Sequence, residues 1–110
     1  LSLLLEHGAN PNAKDGKSAT PLHWAVLRDR PAAVHVLAAK GADVNARDFG
    51  YNTPLHLAAA QPNPEVISAL LDAGADPLAR NIEGATALQI AGFRRQTSNA
   101  NLLRQAEAKP

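Results

Sequence analysis

Apolar residues in this chain come in short clusters at helical spacing, divided by stretches rich in Gly, Pro, Asn and Asp. Leu22, Ala25 and Val26 share one face of a helix, and Leu55, Ala58 and Ala59 repeat the arrangement further on. A second helix follows each of these. Val34, Leu37 and Ala38 form one side of the first, and Ile67, Leu70 and Leu71 one side of the other. Thr20 and Thr53 are placed as N-caps, because a hydroxyl accepts an early backbone N–H, and Pro21 and Pro54 are pre-set for the first helical position. Between helices, "RDRPAAV" and "QPNPEVI" stop and restart the chain, with Asn63 as cap and Pro64 opening the next helix. Gly41 and Gly74 end each second helix in the left-handed position. The connectors "ADVNARDFGYN" and "ADPLARNIEGA" read as non-helical turns.

These signals keep a period. Thr20-Pro21-Leu22-His23 recurs as Thr53-Pro54-Leu55-His56 and, weakened, as Thr86-Ala87-Leu88-Gln89, each 33 residues after the last. A second marker, Gly-Ala-Asn/Asp, falls at Gly8, Gly41 and Gly74 with the same spacing. Two independent markers hold one register without an insertion, so each unit is turn, helix, turn, helix. A single pair of short helices cannot bury its own apolar face, and the units must therefore stack.

Composition narrows the picture. Alanine is abundant and aromatics are few, with one Trp, one Tyr and two Phe, which suits close helix–helix packing rather than a core of large rings. The absence of Cys excludes disulfides and cysteine-based zinc sites. A net charge of +1 offers no global attraction to nucleic acid or an anionic membrane. No apolar run approaches a membrane span, and "LSLLL" at the start lacks the charged leader of a signal peptide. The expectation is a soluble, cytoplasmic chain that is monomeric by itself, with no cofactor.

The repeated residues closely resemble the ankyrin repeat, in Asp-x-x-Gly-x-Thr-Pro-Leu-His-x-Ala-Ala and in the later Leu-Leu-x-x-Gly-Ala-Asp-x-Asn-Ala. The resemblance spans the chain. It implies an all-α solenoid of stacked helix-turn-helix units with projecting β-turn or hairpin fingers, and a concave face. The units are 15–47, 48–80 and a C-terminal capping repeat over 81–110, after the end of a truncated repeat in 1–14. Because the first of these begins mid-unit, the chain is expected to belong to something larger. Three departures from the family pattern stand out. The fingertip glycine is present as Gly84 but is replaced by Ser18 and Tyr51, which predicts altered tips. The glycine between helices is Asp29, Pro62 or Arg95, and proline cannot take positive φ, so the turn at Pro62 must differ. The segment "RQTSNANLLRQAEAKP" keeps Leu102 and Leu103 where Val36 and Leu37 stand but loses the terminal Gly-Ala-Asp, as a polar-faced cap would.

His23 and His56 admit a metal or catalytic role and a structural one. A full repeat separates them, so stacking places them roughly 10 Å apart, too far to share one ion. Gln89 at the same place in the last unit both donates and accepts, which fits hydrogen bonding within a finger and a helix start, not metal ligation. His7 and His35 hold unrelated positions. No nucleophile elbow, phosphate loop, HExxH or paired-carboxylate arrangement is present, and the chain is read as non-enzymatic.

The resemblance implies protein binding, through fingertips and the exposed end of each first helix. Carried onto this sequence, the partner-contacting positions are Lys17, Leu27, Arg28, Phe49, Tyr51, Asn52, Gln61, Ile82, Phe93 and Arg94. Phe49, Tyr51, Leu27, Ile82 and Phe93 are expected to form an interrupted apolar strip with Arg28 and Arg94 beside it, the composition of an interface core. The competing reading folds Phe49 and Tyr51 back on the neighbouring finger and lays Phe93 over the end of the stack. Trp24 is expected to pack between first helices. Lys14, Arg47 and Arg80 recur as a basic ladder, read as solvated and paired with acids such as Asp15 and Asp48. The alternative function is a structural spacer or regulatory arm of a larger multidomain protein.

Overall fold

A computed structural model describes residues 12, 14–16 and 18–108. Gly8, His7 and most of the half-unit expected in 1–14 lie outside the described residues. Six helices are present among them: α1 (Pro21–Leu27), α2 (Pro31–Ala39), α3 (Pro54–Ala59), α4 (Pro64–Asp72), α5 (Ala87–Phe93) and α6 (Thr97–Ala108). No described residue forms a strand. Helices pair as α1·α2, α3·α4 and α5·α6. First helices then pack on first helices, α1 on α3 and α3 on α5, while second helices pack on second, α2 on α4 and α4 on α6. This is the paired, stacked solenoid that the period required.

The local signals act as their chemistry dictates. Thr20, Thr53 and Thr86 hold extended backbone as N-caps, with φ near −90° and ψ near +166°. Asn63 Oδ1 accepts the Glu65 N–H at 3.0 Å. Gly41 and Gly74 take φ of +93° and +98°. That conformation lets the N–H groups of Ala42 and Ala75 reach back to the Leu37 and Leu70 carbonyls at 3.0 Å. Leu22, Ala25, Val26, Leu55, Ala58, Ala59, Val34, Leu37, Ile67 and Leu70 are all buried, as the periodicity requires, while Ala38 and Leu71 are half-buried at its margin.

The turns between paired helices depart from glycine at little cost in geometry. Asp29 and Arg95 adopt the left-handed φ, +57° and +59°, that a glycine would hold. In both turns an N–H reaches five residues back, from Arg30 to Ala25 O at 2.9 Å and from Gln96 to Ala91 O at 2.8 Å. Pro62 does differ, as its fixed φ demands. There the end of α3 is capped from the next pair instead. The Nδ2 of Asn99, only 1 % exposed, donates to the carbonyls of Ala58, Ala59 and Gln61, at 3.4, 3.3 and 2.5 Å. Asn99 is thus the buried polar group that replaces a local cap with a tertiary one.

A non-glycine residue in the left-handed region costs about 1–2 kcal/mol. Asp29 recovers part of this by accepting from Asn63 Nδ2 at 2.7 Å, whereas the Arg95 side chain is exposed. Arg95→Gly is therefore expected to stabilise the chain by about 1 kcal/mol, and Asp29→Gly by less. Paired thermal melts check the order; a larger gain at position 29 would refute it.

Candidate partner-binding surface

Each finger is built on a side chain that closes its own turn. Asp48 Oδ1 accepts the N–H groups of Gly50 and Asn52 at 2.9 and 3.0 Å, and the Tyr51 N–H donates to the Asp48 carbonyl at 2.9 Å. Asn81 does the same for Glu83, Ala85 and Gly84, and Asp15 Oδ1 accepts from Ala19. The tips are consequently alike. Ser18, Tyr51 and Gly84 have φ of +61°, +62° and +78°, so the expectation of altered tips is corrected: the Asx-type ring holds Ser and Tyr where glycine would sit. Adjacent fingers join through Ile82 N–H to Gly50 O at 3.0 Å and Asn81 Nδ2 to Asn52 Oδ1 at 3.1 Å.

The histidines bind finger to helix and helix to the following finger. The Thr20 N–H donates to His23 Nδ1 at 3.1 Å, which fixes the proton on Nε2, and Nε2–H donates to the Asn52 carbonyl at 2.9 Å. His56 repeats the pattern, accepting from Thr53 at 3.1 Å and donating to Ala85 O at 2.8 Å. In the third pair Gln89 Oε1 accepts the Thr86 N–H at 2.9 Å, taking the imidazole's place. Both rings are buried, and their four nitrogens are committed to the backbone.

Burial pushes the His56 imidazole below its ordinary 6.5, against the upward pull of hydrogen bonding to the backbone of Ala85 and Ala79. Protonation at Nδ1 would also set two donors face to face at Thr53. The unfolded chain binds a proton near 6.5 and the native one resists it, so the contribution of His56 is complete above that pH. It is lost as pH falls through the native value. Melting temperature is expected to be level from about pH 7 to 8 and to decline below about 6.5. His56→Gln should flatten that part of the decline, and an equal slope in both proteins would refute the assignment.

Two rows of first-helix residues, exposed at Trp24, Leu27 and Phe93 and half-buried at Leu57, Ala60 and Ile90, form a floor beside the fingers. Trp24, Leu57 and Ile90 make one row and Leu27, Ala60 and Phe93 the other, each at the repeat spacing. Trp24, expected between first helices, is the most exposed residue of its row. It is 41 % exposed, donates Nε1–H to Asp15 Oδ2 at 3.1 Å, and carries the Arg28 guanidinium 6.0 Å above its ring. Helices this short have apolar residues on two faces, and only one of them is the core.

From the end of α1 across the second and third pairs the floor deepens into a groove of about 760 Å³. Of the positions carried over from the sequence, Leu27, Asn52, Gln61, Phe93 and Arg94 line it. His56, Leu57, Asn81, Gln89 and Ile90 line it too and were not selected; the 33-residue period linking Trp24, Leu57 and Ile90 was the available signal. Phe49, Tyr51 and Ile82 are exposed on the fingers and outside this groove, so the expected strip is divided in two. Phe49 is 71 % exposed, and the half-exposed Tyr51 ring lies beneath the Arg47 guanidinium of its own finger at 5.6 Å. Phe93, 86 % exposed, is not laid over the end of the stack. Lys17 lies outside the described residues.

Two of the three side chains of the basic ladder serve the backbone, and the third, Arg47, covers Tyr51. Lys14 Nζ donates to Arg47 O at 3.3 Å and an Arg80 guanidinium N–H to Gly84 O at 2.8 Å, while Asp48 is occupied in its turn. Among the described residues no three His, Cys, Asp or Glu converge as a metal site, and no described helix is long and apolar enough to cross a membrane.

A family model described as ankyrin repeats (many copies) matches residues 4–58 and again 37–91. Comparison with curated proteins gives no match.

Proposed function

The chain belongs to the ankyrin-repeat family, whose members are generally protein–protein interaction modules, and from that premise we propose that it grips a partner protein between its fingertips and the exposed face of its first helices. One observation carries this reading: an apolar floor, exposed at Leu27 and Phe93 and half-buried at Leu57 and Ile90, lies beside two fingers closed by hydrogen bonds. Exposed aromatic and aliphatic side chains next to arginines are the composition of binding hot spots. The strained backbone at Tyr51 supports it further, because a bulky residue held at φ +62° costs stability that a glycine would not.

The test is affinity capture from the source organism's lysate with mass-spectrometric identification. The unaltered chain is compared with a groove variant, Leu27→Ala with Phe93→Ala, and a tip variant, Phe49→Ala with Tyr51→Ala, all matched for helicity. A protein held by the unaltered chain and released by either variant supports the module and says which face carries it. Retention by both variants refutes this surface. Capture of nothing by the unaltered chain favours the spacer or regulatory-arm reading.

A further inference from the structure

The groove has a sidedness that says what kind of segment fits it. Along the ends of the first helices, Arg28, Gln61 and Arg94 occupy the same place in successive repeats. Arg94 lines the groove and Arg28 is an exposed cation that follows the lining residue Leu27 at the end of α1, while Glu83, the groove's one lining carboxylate among the described residues, belongs to a finger. The floor between them is apolar. Charge complementarity therefore puts carboxylates on the helix-end side of an occupant and apolar side chains beneath it.

The polar groups of the groove speak to the occupant's backbone. Gln61 is half-exposed, and its Oε1 is buried without a hydrogen bond from the described chain. A swing of that side chain presents an acceptor to the groove. Gln89 spends Oε1 on the Thr86 N–H, which leaves the Nε2 N–H groups of this groove-lining side chain as donors. An acceptor and a donor of this kind match the free N–H and C=O of an extended peptide. A helix satisfies those groups internally and has no use for them.

We propose that the occupant is an extended segment of a partner protein, apolar toward the floor and acidic where it passes Arg28 and Arg94. This rests on the interaction reading above and gives it a chemistry. Two steps between packed helices separate the arginines by roughly 16–20 Å, which an extended chain spans in about five or six residues.

The probe is a fluorescein-labelled peptide, Glu-Leu-Ser-Leu-Ser-Leu-Glu, read by anisotropy beside a counterpart with lysine at both ends. The unaltered chain is expected to bind the glutamate peptide saturably and about tenfold more tightly than the lysine one. A chain carrying Arg28→Glu and Arg94→Glu, with an unchanged melt because both positions are exposed, should reverse that order. Equal affinity for the two peptides, or no saturable binding of the glutamate peptide, overturns the proposal. The broader reading fails separately. A captured protein that is lost with Phe93→Ala yet retained by the Arg-to-Glu chain sinks the acidic segment alone, whereas no capture at all sinks the module.

Discussion

Leu70→Ala is expected to lower the stability of the whole chain by about 2–5 kcal/mol, a fall of roughly 10–20 °C in melting temperature for a domain of this size. Leu70 is fully buried in the last turn of α4, which packs against α2, α3 and α6. Its truncation opens a cavity at the junction of three neighbours, none of which can collapse into it without leaving its own partner. In a stack whose stability is the sum of neighbouring interfaces, a weakened central pair releases both ends. The melt followed by circular dichroism should therefore shift as one transition. A midpoint that barely moved, or two separated transitions, would contradict the packing.

The second large effect belongs to His56. His56→Ala is expected to cost about 3–4 kcal/mol, because it strips a partner from the Thr53 N–H and from the Ala85 carbonyl and leaves a void besides. The two bonds run 3.1 and 2.8 Å and join one helix start to the finger of the next pair. His56→Gln keeps an acceptor for Thr53, as Gln89 does for Thr86 at 2.9 Å, and is expected to cost only about 1 kcal/mol. Chemical denaturation of the three proteins checks the order. If alanine and glutamine proved equally costly, the ring would matter by its volume and not by its nitrogens.

Much of the architecture was legible because its causes are local. A threonine cap, a proline at the first helical position and a glycine at the left-handed end act within a few residues of themselves. Repetition at 33 residues then carries each local signal through the chain. What escaped the sequence depends on distance or compensation. Asn99 lies 38 to 41 residues from the carbonyls it caps, and nothing near either end announces the other. Tyr51 and Ser18 looked wrong for a tip because a side-chain ring of hydrogen bonds, not their own preference, fixes the backbone. Trp24 was expected between first helices, and its 41 % exposure was not legible because apolar character does not say how far a side chain on a short helix is covered. At the candidate surface the period located the floor positions, while the division between groove and fingertips needed the fold.

The bonds that cross from one pair to the next have a consequence for how such a chain can change length. Each of the first two pairs supplies both halves of the joint: a side chain reaching forward, as from His23 to Asn52 O or from Asn45 to the Asp76 N–H, and a backbone group that receives the reach of its predecessor, as the Asp43 N–H receives Asn12. A copied whole unit arrives with every connector its neighbours need, so the array grows or shrinks by duplication without new inventions. One residue added within a helix between the two halves would put them out of step. The bonding pattern thus makes the repeat, not the residue, the coin in which this architecture is inherited.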